Sequence, residues 1–200
     1  AFGTQFFDPD LDGDLDLFAA NGHVLDNVEL IDQSTSYGQR NLLLRNDGGR
    51  FADVSATAGP GFDLQRVSRG SAVGDYDMDG DPDLLVFNSG QPLSLLRNDS
   101  GHGNHWITVR LVGADGNPNG IGARVTAHSG DLVQTRELRG SRSYLSQSQL
   151  HVSLGLGHRS QLDDIEVRWP SGRIERFGPF AGGQVLILIE GEGVSAQPSP

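Results

Sequence analysis

Cysteine and lysine are both missing from this chain. Without cysteine no disulfide can brace the fold, and the residue that most often reports a redox compartment is silent. Without lysine every fixed cation is an arginine, and 15 of them face 26 acids for a formal charge of −11. No basic stripe exists, which argues against nucleic acid as a partner. No run of 18 apolar residues occurs, so no helical membrane span is expected. Helical periodicity is also scarce, since no ten-residue segment repeats its apolar positions every 3.6 residues. A Gly-x-Ser-x-Gly elbow, a phosphate loop and a His-Glu-x-x-His pair are lacking too, and the chain is read as having no catalysis of its own. No signal peptide precedes Ala1-Phe2-Gly3-Thr4, which already lies in a strand pattern, so an upstream portion is expected.

What is present is concentrated. Residues 1–100 hold 17 acids and 6 arginines, whereas residues 101–200 hold nine of each. Most of the excess lies in two nine-residue runs, Asp8-Pro9-Asp10-Leu11-Asp12-Gly13-Asp14-Leu15-Asp16 and Asp75-Tyr76-Asp77-Met78-Asp79-Gly80-Asp81-Pro82-Asp83. Five alternating carboxylates repel one another unless a cation sits among them. Oxygen ligands at alternate positions, with glycine at the sharp turn, suit a hard divalent ion. Both runs are therefore read as calcium loops. The expected side-chain ligands are Asp8, Asp10, Asp12 and Asp16 in the first and Asp75, Asp77, Asp79 and Asp83 in the second. Asp14 and Asp81 are expected to contribute backbone carbonyls. Two bound Ca²⁺ would bring the formal charge to −7. The runs begin like an EF-hand but lack its twelfth-position Glu, having Ala19 and Val86 there. Their flanks, Phe6-Phe7 with Leu15–Phe18 and Ala72-Val73 with Leu84–Phe87, read as strands rather than helices.

The loops belong to a longer repeat. Phe2–Phe7 aligns with Arg69–Gly74, Leu15–Asn21 with Pro82–Asn88, and Asn41–Asp47 with Leu93–Asp99. The first unit continues into a fourth strand, Arg50–Val54, and the second does not. Each unit is one blade-like sheet with calcium at the turn between its first two strands, and His23–Gln39 is a surface excursion. From residue 101 the character changes. Strands are expected over 105–111, 123–129, 132–138, 150–154, 164–169, 173–177 and 184–189, a spacing that suggests two packed sheets. The expected fold is all-β: two propeller-type blades over residues 1–100, a β-sandwich over 101–190, and a disordered tail over 191–200.

The residues carry a resemblance. The Asp-x-Asp-x-Asp-Gly-x-x-Asp loops, Leu42–Asp47 followed by Gly48–Val54, and Gly70–Asp75 resemble FG-GAP/VCBS-type propeller repeats. Gly103–Ile107, Asn117–Val125, Ser143–Ser148 and Val167–Gly172 resemble the ASPIC/UnbV domain. The resemblance implies a calcium-dotted propeller with several more blades upstream, in an extracellular or periplasmic protein where millimolar calcium keeps weak sites filled. Two blades cannot close a propeller, so an open strand edge is expected to be covered by upstream blades, by the Trp106 strand folding back, or by a neighbouring copy.

The leading functional reading is a calcium-stabilised, secreted binding, adhesion or structural module whose partner is a glycan or another extracellular protein. One rival is the C-terminal part of a calcium-dependent propeller enzyme with its site at blade junctions. Another is a self-assembling extracellular structural protein. Among other residues, Trp169 is expected in the core, His102, His105 and His151 in packing and turns, and the arginines from Arg124 to Arg176 in scattered ion pairs. Asn98-Asp99-Ser100 fits a glycosylation acceptor.

Overall fold

The computed structural model describes residues 1–99, 103–114 and 116–196. It is all-β with several sheets and no closed barrel. In the first half the strands are β1 (Thr4–Phe7), β2 (Asp16–Ala19), β3 (Gln39–Arg40), β4 (Leu42–Asp47), β5 (Arg50–Asp53), β6 (Gln65–Arg66), β7 (Ser68–Gly74), β8 (Asp83–Asn88) and β9 (Ser94–Leu96). They form an antiparallel sheet in the order β1-β2-β4-β5, a second in the order β7-β8-β9, and a short β3-β6 ladder. The ladders reproduce the repeat. Phe7 lies opposite Asp16 as Gly74 lies opposite Asp83, and Leu17 lies opposite Leu44 as Leu84 lies opposite Leu96.

Alternation decides how these sheets stack. Phe7, Phe18 and Leu43 on one face of the first sheet meet Leu84 and Val86 of the second, with Phe62 set edge-on to Phe18. The opposite faces remain open. Phe6 and Phe51 meet edge to face in solvent on the first sheet, and Leu85, Phe87 and Leu95 are exposed on the second. The excursion after β2 is closed by a Gly22–Gly38 bridge and holds one turn of 3-10 helix, Val28–Leu30. Val28 is buried there while Leu30 and Ile31 stand in solvent.

The second half contains β10 (His105–Val112), β11 (Arg124–Ser129), β12 (Leu132–Glu137), β13 (Val152–Gly157), β14 (Gln161–Leu162), β15 (Asp164–Arg168), β16 (Ile174–Phe177), β17 (Phe180–Ala181), β18 (Gln184–Ile189) and β19 (Val194–Ser195). The sheets β13-β10-β18 and β12-β11-β15-β16-β19 enclose one apolar core, built from Ile107, Val109 and Leu111 against Val125, Ala127, Ile165 and Val167. Trp169 is 1% exposed within it. All seven expected strands are present within a residue or two at most ends.

Two expectations change. The Trp106 strand does not return to the first half, because β10 pairs with β13 and, in parallel, with β18; β9 is left at the edge of its sheet. The tail expected from residue 191 begins too early: Val194 and Ser195 pair with Arg176 and Glu175. Two residues give too short a pattern to be seen in a Gly- and Ser-rich stretch. Residues 197–200 of that tail, together with Ser100 and His102, lie outside the described residues. Asn98 of the Asn98-Asp99-Ser100 triplet donates through Nδ2 to the carbonyl of Pro9 at 2.8 Å and so brackets two chain segments.

Candidate metal centres

Each Asp loop is a turn held by its own carboxylates. Asp8 accepts from the Asp12 amide through Oδ1 at 3.1 Å and from the Gly13 amide through Oδ2 at 3.0 Å. Asp75 does the same with Asp79 at 3.2 Å and Gly80 at 3.0 Å. Asp12 and Asp79 accept from the amides two residues on, at 2.8 and 2.9 Å. The backbone must turn through the left-handed region twice in each loop, at Leu11 (φ 58°) and Gly13 (φ 102°), and at Met78 (φ 61°) and Gly80 (φ 99°). Gly13 and Gly80 supply that conformation without a Cβ penalty. A side chain at Gly80 would also collide with the Trp106 ring.

The turn gathers carboxylates. One oxygen each from Asp8, Asp10 and Asp12 lies within 4.8 Å of the others, as do those from Asp75, Asp77 and Asp79. Oxygens bound to one calcium at about 2.4 Å can be no more than about 4.8 Å apart, so the spread fits a single cation. Asp10 Oδ1 is buried with no hydrogen-bond partner, a costly state for a carboxylate unless a cation meets it. The ninth-position residues are buried beside these groups and hold the next strand. Asp16 accepts from the Asn46 amide and Asp83 from the Asn98 amide, both at 2.8 Å. Asp14 turns its carboxylate to the Gly48 amide at 3.0 Å, and the Asp81 amide donates to Asp79.

Burial and crowding raise the pKa values of the first loop's carboxyls. Desolvation, then the Asp12 charge, pushes Asp8 up to about 7 against the opposing hydrogen bond from Gly13. Burial likewise raises Asp16 to about 6, with Asp10 and Asp12 adding to it and the Asn46 amide opposing. Asp12 rises for the same main reason. In the second loop burial raises Asp83. A divalent cation would offset such penalties by stabilising the ionised forms.

A model of the FG-GAP-like repeat matches residues 8–86, and a model named ASPIC and UnbV matches residues 113–195. The chain joins an FG-GAP-like repeat region to an ASPIC and UnbV domain. It is similar to cartilage acidic protein 1 of Mus musculus, at 28% identity over 151 residues, covering 71% of this chain and 22% of the relative. The Homo sapiens protein of that name is 27% identical over 167 residues, covering 79% and 24%. The Xenopus tropicalis one is 32% identical over 111 residues, covering 52% and 16%. The chain thus spans about a quarter of the length of these relatives.

The FG-GAP-like region and the ASPIC and UnbV domain meet at the first Asp loop. Its carbonyls at Asp10, Leu11 and Gly13 accept from Asn104 Nδ2 (2.8 Å), the Gly157 amide (2.8 Å) and Arg136 Nη2 (2.9 Å). Gly155 lies flush against Asp8 and Leu11, where a Cβ would approach the Leu11 carbonyl carbon to 2.5 Å. Segment 143–149 runs along β7: Gln149 donates to the Val73 carbonyl at 2.9 Å, and Ser148 accepts from the Val73 amide at 3.1 Å. Trp106 covers the second loop at Gly80. Sequence reasoning missed Asn46 and Asn98 as supports of the loops, although the repeated Leu-Arg-Asn-Asp tetrapeptide carried them. Nothing in the sequence marked Asn104, Arg136 or Gly155 as partners of a loop about a hundred residues away.

Proposed function

We propose that the chain is a calcium-stabilised, secreted binding or structural module in which the metal fixes the joint between propeller blades and a sandwich. Residues 1–100 supply two blades and residues 101–190 the sandwich. Ca²⁺ is held by Asp8, Asp10, Asp12 and Asp16 in the first loop and by Asp75, Asp77, Asp79 and Asp83 in the second, with the Asp14 and Asp81 carbonyls completing each set. Calcium fits better than magnesium because the ligands form a flexible all-oxygen set from a single loop, whereas magnesium holds to compact six-fold geometry and retains water. The observation that carries the reading is the grip on the first loop. The turn whose carboxylates converge also presents three carbonyls to Asn104, Gly157 and Arg136, so ordering the turn orders the joint. The exposed face at Leu85, Phe87 and Leu95 is read as a seat for further blades.

Removal of calcium tests this. A ligand at 100 times its dissociation constant adds about 2.7 kcal/mol per site, so a chelator should lower the melting temperature by many degrees. Unchanged melting with loss of an activity would assign the metal to catalysis and overturn the reading.

A further inference from the structure

Beyond the metal loops, one charge distribution is unexplained by folding. The arginines of the second half were expected to scatter into ion pairs, and four of them do not scatter. A groove of about 470 Å³ runs between the edge strand β1 and the strand β12, lined by Arg124, Arg136, Arg139 and Arg142 with Glu137 as the one carboxylate. Among the described residues, Arg139 alone of the four makes an ion pair, reaching Glu137 at 2.8 Å. Arg142 gives one Nη to the Glu137 carbonyl, and Arg136 binds carbonyls and the Gln134 amide oxygen while its Nε lies buried without an acceptor. Arg124 makes no ion pair among the described residues and is exposed on β11. Burial lowers the pKa of Arg136 and of Arg142; at Arg136 the Asp8 and Asp14 charges oppose this and the Arg142 guanidinium adds to it, and at Arg142 the Arg139 guanidinium adds to it while Glu137 opposes. Four guanidiniums beside one carboxylate leave the groove with an excess of positive charge, in a chain of net charge −11. That excess favours the entry of an anion.

The occupant can be narrowed. The groove is larger than one small ion needs, and its cations come from β11, β12 and the turn after β12, so they are spaced to meet more than one negative group. Guanidinium forks match the planar carboxylate and the oxygens of sulfate. On the opposite wall stands the Phe6 ring, 54% exposed, an apolar platform of the kind on which the C–H face of a sugar packs. We infer that this groove binds an acidic saccharide through carboxylate or sulfate groups. The inference uses no metal; Arg136 is shared with the first loop through the Gly13 carbonyl, so the variants that test it are at Arg124 and Arg139.

Calorimetric titration of the calcium-loaded chain with a sulfated, uronate-containing tetrasaccharide, its desulfated counterpart and inorganic phosphate tests it. The sulfated tetrasaccharide should bind, and more weakly as salt is raised. Phosphate should bind at least about a hundredfold more weakly. Retained binding of the desulfated form assigns recognition to the carboxylates, and its loss assigns it to sulfate; both support the site. Arg124→Gln, on an exposed strand position, should weaken binding about tenfold with melting unchanged, as the loss of one charged hydrogen bond implies, and Arg139→Gln gives an independent second reading. No binding of either saccharide, phosphate binding as tight as theirs, or wild-type affinity in both variants would overturn the proposal.

Discussion

The two Asp loops share a pattern, a turn and the same internal hydrogen bonds, yet they stand in different surroundings. In the first, Asp8 and Leu11 are 2% and 3% exposed, and the ASPIC and UnbV domain closes over the turn. In the second, Met78, at the position of Leu11, is 83% exposed, and Trp106 covers only the glycine. The repeat thus specifies the geometry that gathers carboxylates, and tertiary contact decides what it costs to leave them charged. Asp8 and Asp16 in the first loop are raised to about 7 and about 6. In the second, burial raises Asp83, and Arg97 approaches Asp77 at 3.9 Å. Under the proposed function, the first loop would be a joint that needs a cation, and the second would be closer to an ordinary surface site.

The contrast can be broken most forcefully at Asp8. Asp8→Ala removes a ligand and the acceptor of two amides. Losing the cation costs about 2.7 kcal/mol, and leaving buried donors unpaired adds about 1–3 kcal/mol. Asp75→Ala, in the open loop, should cost clearly less. Urea unfolding in calcium measures both, and equal losses would remove the distinction.

The pH dependence of the metal-stripped protein comes next. The folded-state pKa of Asp8, about 7, lies above the usual carboxylate value near 4. The folded form therefore holds a proton that the unfolded form has released between those values. That contribution is fully present below about pH 4 and is lost as pH rises through about 7, by up to about 4 kcal/mol. The stripped protein should be more stable at pH 5 than at pH 7.5, and Asp8→Asn should flatten the slope. With calcium present the slope should weaken, because the cation takes the place of the proton.

Smaller effects sharpen the picture. Gly155→Ala places a methyl against Asp8 and the Leu11 backbone and should destabilise by about 1–3 kcal/mol, as overpacking does. It should also weaken calcium binding at the first loop alone, which titration of Asp79→Ala in that background would show. Asn98→Ala should cost about 1 kcal/mol and disturb both loops, because the Asn98 side chain donates to the carbonyl of Pro9 at 2.8 Å and to that of Pro82 at 3.5 Å. Asn46→Ala should disturb the first only.

Much of this was legible in the sequence. Alternation in Trp106–Leu111 and Ile165–Trp169 gave the two-sheet second half, since strands that bury one face have a period of two. The Asp runs gave the turns, because alternating carboxylates with a central glycine leave the backbone few other choices. The hidden part was long-range. Arg136 looks like any surface arginine in Leu132–Glu137, and its reach to the Gly13 carbonyl exists only once β12 lies beside the first loop. The pairing of Val194 and Ser195 is decided by β16 offering a free edge, which no local pattern records. The arginine groove escaped for the same reason, since its members are balanced by acids along the chain and not in space.

Calorimetric titration of the metal-stripped chain with calcium tests the joint most directly. Two sites per chain should fill at or below millimolar calcium. Asp12→Ala should abolish one of them together with most of the calcium dependence of melting, and Asp79→Ala should abolish the other with a smaller effect on melting. An absence of binding at millimolar calcium, or an equal melting response in the two variants, would contradict it.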